Sequence, residues 1–458
     1  MLRIWRLDLD KKENVAGCYA IFQDWLGLQE NEELKGFGGG MYSPALIVWL
    51  MIFQRLHEGA SLEKAVEEFA SGALNELAGP CKRTRDGNVS NNTGGYCQAR
   101  QGLPLGVTTL ITDGLYRYLS EERAVRQGKY GRPIFSVDGA VVELLRSREL
   151  AKRYPPDRRG HYPSLRMVVC HDLESGLAVR PEYGPYSGKK QQGEVSLVKR
   201  MFSRLPENGI FVGDRLYGIF SVVYAAQEVG RDIIFRLTDD RAKKILKRSP
   251  EHGLDESVTW KISHHDRAKN PNLAKDATIR GRLICRNVQP NKGGKVIPLY
   301  LFTTLESESS ETLIEIYGLR WNVETDLRTL KQTVSMHMLK VKSEDMAGKE
   351  LLLGICAYNL VVAVRILAAQ KLNLSPRALS FKRTLIIVEC YAPKILAASP
   401  DMQQVLIQRF WRSMAACKHP KRSKTRTEPR ALVRHRRPKF PTIKGSRASA
   451  RRTIMAKN

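Results

Sequence analysis

Acid is what this chain is shortest of. Its 458 residues hold 47 Asp and Glu against 75 Lys and Arg, a formal charge of +28, and the isoelectric point is near 9.9. A charge that large makes a folded chain repel itself, and a polyanionic partner offsets the repulsion. Nucleic acid fits first and an anionic membrane surface second. Paired cysteines are missing too. The eight cysteines (18, 81, 97, 170, 285, 356, 390, 417) include no Cys-x2-Cys pair and no Cys/His set at metal-ligand spacing. This argues against a zinc site and a disulfide framework, and suits a reducing cytosol. No P-loop motif is present, and no signal peptide opens the chain. Long uncharged apolar runs are absent as well. Ala45 to Phe53 is too short to cross a bilayer, and Leu351 to Ala369 carries Asn359 and Arg365. Inserting Arg at the bilayer centre costs about 3 kcal/mol, so the second run reads as a buried helix.

The most informative stretch is Glu311 to Met336, ETLIEIYGLRWNVETDLRTLKQTVSM. Ile316, Leu319, Val323, Leu327, Leu330 and Val334 recur at steps of three or four, which predicts a single amphipathic helix. Tyr317, Arg320, Glu324 and Lys331 then fall within a sector of roughly 60° beside the apolar stripe. Taken by spacing alone, these charges read equally as ordinary surface contacts.

Elsewhere the period changes twice. Strand signals are scarce up to about residue 125. Ser43-Pro44 starts an apolar helix, and Ser61 caps SLEKAVEEFA. Asn88 to Pro104 reads as a polar loop running into a short helix. Its Gln98 and Arg100 would be available to base edges if it were a helix-turn-helix, and would be plain surface if it were a hairpin. The middle of the chain alternates strands and helices. Pro133 to Asp138 is a short strand ending in an acid followed by Gly, and Leu165–Cys170 with Leu177–Arg180 make a hairpin. Glu194 to Leu205 is a helix. Gly209 to Asp214 is a second strand ending in an acid, with a helix from Tyr217 and a strand from Asp232. This order is expected of a ribonuclease-H-like mixed α/β core. Taken singly, Asp138-Gly139 is equally a turn and Asp214 equally a helix cap. Residues 239–308 are basic, with strands near Val258–Ile262, Thr278–Arg286 and Val296–Thr303. The last 45 or so residues hold almost no acid beyond Glu428.

Tyr-x2-Arg-x3-Glu-x6-Lys resembles the signature of bacterial insertion-sequence transposases of the Tyr-Arg-Glu-Lys group, insertion sequence family four. The resemblance covers roughly residues 40 to 440 and is sharpest at Asp138-Gly, Gly-Asp214-Arg215 and the Glu324 stretch. It implies a ribonuclease-H-like core with a β-rich insertion, an N-terminal helical domain and C-terminal helices. The expected division is as follows: a DNA-end-binding region over 1–125, the first part of the core over 126–238, the insertion over 239–308, the helix completing the core over 309–345, C-terminal helices over 346–412 and a basic tail over 413–458. It further implies an Asp138–Asp214–Glu324 metal site holding two Mg²⁺ ions, with Mn²⁺ as a substitute, in which Asp138 bridges both. Arg320 and Lys331 would hold DNA phosphates, Tyr317 would contact the same backbone, and Arg215 would pair with DNA or with an acid of the core. The implied reaction is cleavage at the inverted repeats of the element and strand transfer into target DNA. The implied setting is the bacterial cytoplasm, with the protein nucleoid-associated when bound, dimeric on paired ends and not in a membrane. The alternative is an inactive DNA-binding regulator or remnant. Family members that form a DNA hairpin set an aromatic residue of the insertion against a flipped base, and Trp260 and Tyr300 are the candidates here. The basic, helical-looking run after Asp138 departs from the family pattern.

Overall fold

In the computed structural model, residues 40–419 are described except 58–59, 73, 80, 123–129, 158–159 and 290–295, together with 445–446, 448–449, 452 and 455–456. The basic run 429–441 and residues 1–39 of the expected end-binding region therefore lie outside the described residues. The chain divides into two units, Met1–His419 and Pro420–Asn458, and every element below belongs to the first.

Among the described residues the helices that precede the sheet are α1 Pro44–Leu56, α2 Leu62–Ala70, α3 Lys82–Arg85, α4 Thr93–Gly102 and α5 Leu105–Glu122. Their starts follow local chemistry. Ser43 Oγ accepts the Leu46 N–H with Pro44 in the first turn, and Ser61 Oγ accepts the Lys64 N–H. Those side chains satisfy backbone donors that have no partner within the helix. Arg100, open to a base-reading role on sequence grounds, is turned inward. It pairs with Glu350 at 3.3 Å, and Arg55 binds the same carboxylate. A buried acid needs its counter-charges, and here it draws both arginines out of solvent.

The next elements build the sheet: β1 Ile134–Leu144, α6 Arg148–Arg153, β2 Ser164–Asp172, β3 Glu182–Pro185, α7 Glu194–Met201, β4 Ile210–Gly213, α8 Phe220–Glu228 and β5 Asp232–Arg236. Then come α9 Asp239–Leu246, β6 Asp255–Lys261, α10 His264–Lys269, β7 Thr278–Val288 and β8 Ile297–Thr303. The sheet order is β3-β2-β1-β4-β5-β8-β7-β6. β2 runs antiparallel to β1 and to β3, whereas β4 is parallel to β1 and β5 to β4. That five-strand order and mixed polarity make the core ribonuclease-H-like. Strands β6 to β8, between β5 and the Glu324 region, extend the same sheet, because β8 pairs antiparallel with β5.

Period-two alternation sets the two faces. Phe211, Ile233 and Phe235 pack on one side with Leu197 and Val198 of α7 and Phe220 and Val223 of α8. Ile210, Val212 and Ile234 face the other side with Leu313, Ile316 and Val323. The last three belong to α11 Ser310–Gly318 and α12 Trp321–Gln332. A short β9, Met338–Leu339, adds to β1. Finally α13 Glu344–Lys371, α14 Phe381–Ala397 and α15 Pro400–Ala415 close the unit. The apolar run in α13 is a core helix, with 83% of its most apolar window buried.

Four expectations are corrected. The 311–336 stretch is two helices, because Leu319 and Arg320 donate to the carbonyls three residues back, Ile316 and Tyr317. Such bonds tighten the turn locally, while the backbone of Leu319 and Arg320 stays in the right-handed helical region. The strand at Asp138 does not end there: β2 carries β1 on from Asp138↔Val169 to Glu143↔Ser164. Residues 177–179 do fold back on β2, where the Asp172 N–H donates to the Leu177 carbonyl and the Val179 N–H to that of Cys170, both at 2.8 Å, but they form a single bridge, His171↔Ala178, and the paired strand is Glu182–Pro185. Asn359 of α13 also exchanges two hydrogen bonds with the Ala178 backbone at 2.8 Å. Packing also continues past Arg412, since Met414 and Cys417 are buried with Leu379.

Candidate active site

The parallel pairing of β1 with β4 brings the two aspartates together. Its register is Ile134↔Ile210, Phe135↔Phe211 and Ser136↔Val212. Carried on two residues, it sets Asp138 level with Asp214, which directly follows β4. Neither acid has the plain structural job open to it on sequence grounds. Asp138-Gly139 lies inside a strand, not in a turn. Asp214 Oδ1 accepts the Leu216 N–H at 2.8 Å and so shapes the loop, whereas α8 starts later, with Ile219 at its cap position. Asp138 Oδ1 accepts the N–H of Gly139 at 2.8 Å.

Glu324 stands in the first turn of α12, which packs on β1 and β2. Arg320, one turn earlier, reaches its carboxylate at 3.5 Å. The Arg320 guanidinium also lies 4.8 Å from the Trp321 ring centre and 6.0 Å from that of Tyr317. Tyr317 is mostly buried; burial raises its hydroxyl pKa, Arg320 and Arg236 lower it, and Asp214 raises it. Lys331 lies seven residues beyond Glu324 and hence on the same face of α12. Arg215 is exposed beside Asp214.

Asp138 is the electrostatic centre. Burial pushes its carboxyl above the usual range, the Gly139 N–H pulls it down, and the charges of Glu194, Glu324 and Asp214 push it up. All three acids singled out in the sequence therefore act on one another. A fourth, Glu194, belongs with them, as does Tyr217, whose hydroxyl donates to Glu194 Oε2 at 3.3 Å. Burial and then Glu194, Asp138 and Asp214 drive that hydroxyl far from ionisation. Sequence reasoning missed both residues. An acid in the first turn of a helix is ordinary complementation of the helix dipole, and only the fold carries it to Asp138.

The donor set suits a hard divalent cation, which takes carboxylate oxygens and would relieve the like-charge crowding around Asp138. Among the described residues, no three His, Cys, Asp or Glu side chains are grouped closely enough to hold one ion. Glu324 is drawn to Arg320 instead. Of the two aromatic candidates, Trp260 is built into the core between Phe220 and Phe302. Tyr300 has its hydroxyl pKa pushed up to about 12, by burial and then by a hydrogen bond to Asp239.

Residues 129–360, just over half of the chain, match the family described as Transposase DDE domain. The chain is 25% identical over 323 residues to the transposase InsG for insertion sequence element IS4 of Escherichia coli (strain K12), covering 68% of this chain and 70% of that protein. Among solved structures it is similar to a piggyBac transposase in a synaptic complex with hairpin DNA. The TM-score is 0.39 and the identity 11%, over 83% of this chain and 77% of that one. The fold assignment rests on the strand order, not on that distant likeness.

Proposed function

The chain belongs to the Transposase DDE domain family, and from that premise we propose that it binds the terminal inverted repeats of its own insertion sequence, cuts there and joins the freed 3′-OH ends to target DNA. It is a DDE transposase, an enzyme of DNA transposition. The observation that best supports the finer reading is the β1–β4 register, which sets Asp138 level with Asp214, while α12, which carries Glu324, packs on β1.

In this reading Asp138, Asp214 and Glu324 hold the divalent cations, two Mg²⁺ ions with Mn²⁺ as a substitute. When bound, they supply the charge that activates the attacking oxygen and stabilises the leaving one. Arg320 and Lys331 clamp the phosphates around the scissile bond, and Tyr317 supports Arg320 from below. Arg215, which is exposed, contacts DNA in this reading. The protein works as a dimer on paired ends, in the bacterial cytoplasm and on the nucleoid, without a membrane.

The test is a strand-cleavage assay with Mg²⁺ on duplexes carrying the inverted repeats that flank the coding frame. Wild-type protein should nick at the repeat boundary and Asp138→Asn should not, while both bind the repeat. Binding of the repeat without cleavage by the wild type would favour the alternative of an inactive regulator.

A further inference from the structure

Glu194 has a place in the molecule that a helix-end charge does not need. It opens α7 directly after Gly193, with no side-chain cap. Its side chain crosses the backbone of β1 at Gly139. A Cβ added to that glycine would fall 2.4 Å from Glu194 Cδ and 2.6 Å from its Oε1. A methyl group there would force the Glu194 carboxyl to shift, so the glycine following Asp138 leaves room for Glu194 where it stands. From the other side Tyr217, itself 2% exposed, donates its hydroxyl to Oε2. The cation facing Glu194 is Arg166, at 3.9 Å, and the Arg166 Nε makes no hydrogen bond. The carboxylate thus lies against the residue next to Asp138, with the Tyr217 hydroxyl on one oxygen and Arg166 at 3.9 Å from the other.

We propose that Glu194 is a fourth carboxylate of the catalytic site, standing beside Asp138 to share its divalent cation, and that residue 139 is glycine to admit it. This rests on the assignment of Asp138 to the metal site. A purely structural Glu194 would be an acceptor for Tyr217, and glutamine accepts that hydrogen bond equally well. Charge at the site is what the substitution Glu194→Gln removes.

The experiment is calorimetric titration of the full chain with Mn²⁺ alone, alongside thermal melts in EDTA. Glu194→Gln should melt in EDTA at or above the wild-type temperature, because a like charge has left the cluster. It should bind Mn²⁺ about tenfold more weakly or worse. Gly139→Ala, which displaces Glu194 without changing any charge, should weaken Mn²⁺ binding in the same direction, and it carries the test should Glu194→Gln fail to fold. Asp138→Asn is run beside them. Wild-type Mn²⁺ affinity in Glu194→Gln or, in that event, in Gly139→Ala, with loss in Asp138→Asn, overturns the role of Glu194 and leaves the three-acid site standing. Unchanged affinity in Asp138→Asn, or no Mn²⁺ binding by the wild type, overturns the site itself.

Discussion

His171 is completely buried, and neither of its ring nitrogens has a hydrogen-bond partner. Burial lowers its pKa to about 4 from an ordinary 6.5, with Asp326 raising it and Arg377 lowering it. The unfolded chain takes up this proton near pH 6.5 and the folded one only near 4, so between those values the unfolded state binds more protons. The contribution to stability is whole above pH 6.5 and is lost as the pH falls towards 4, on the order of 3 kcal/mol in all. His171→Phe keeps a ring against Tyr358 and forfeits no hydrogen bond. Its melting temperature should match or exceed wild type at pH 7 and fall less on acidification; equal acid sensitivity of the two proteins would refute the account. At the site, Asp138→Asn, Asp214→Asn and Glu324→Gln should each abolish strand cleavage and leave end binding intact, since an amide keeps the size but ligates cations poorly. Any one of them cleaving at the wild-type rate removes that residue from the site. Arg320→Ala and Lys331→Ala should each make the salt dependence of binding shallower by about one counterion. An unchanged slope would mark them as plain surface charges.

Element by element, the fold was legible where local pattern decides it, and hidden where a distant side chain does. The caps at Ser43 and Ser61 and the alternation in β4 and β5 depend on residues a few positions apart, and the sequence shows them. Gly139 reads as a turn residue, yet β1 runs through it paired with Val168 of β2, and the side chain lying against it, Glu194, comes from another element. The Leu177–Arg180 run does bond back to β2, but only through one bridge, and the longer pairing falls to Glu182–Pro185. Across Leu319–Arg320 the apolar stripe continues although the α-helical bonding does not, because the tightened turn there keeps right-handed helical backbone angles and so keeps the hydrophobic face. For Asp138, Asp214 and Glu324, spacing left turn, cap and surface contact open, and the resemblance to the Tyr-Arg-Glu-Lys group singled them out. What orients Glu324 was not visible: α12 is tied down by Asp326, whose carboxylate takes Arg377 NH1 at 2.5 Å while Arg377 also donates to the carbonyls of Asp172 and Leu173. Arg377→Ala leaves a buried acid unpaired, at a cost of about 3 kcal/mol. Denaturant melts should show that loss. Stability within about 0.5 kcal/mol of wild type would place the anchor of α12 elsewhere.

At the scale of the whole molecule, charge is unevenly spread along the chain. Residues 420–458 hold fourteen Lys and Arg against the single acid Glu428, so nearly half of the formal charge of +28 lies in the last 39 residues. Sequence composition set the start of this tail at residue 413, but the packed chain runs further. Met414 and Cys417 are buried, the Ser380 N–H donates to the Cys417 carbonyl at 2.9 Å, and the His419 N–H donates to that of Ala378 at 2.9 Å. Two truncations therefore separate charge from packing. Ending the chain at His419 should leave the melting temperature where it was and lower affinity for any duplex. The slope of log K against log salt should flatten by about 0.9 for each phosphate the tail had neutralised. Preference for the cognate repeat over random duplex should survive, since phosphate contacts position the protein while base contacts specify the sequence. Ending it at Arg412 removes the same charges and Lys418 together with two buried side chains, and should also lower the melting temperature, by several degrees for a loss of a few kcal/mol. If the His419 truncation melts as early as the Arg412 truncation, residues beyond 419 are part of the fold. If it melts normally but no longer distinguishes the repeat, end recognition lies in the tail and not in the helices of residues 1–125.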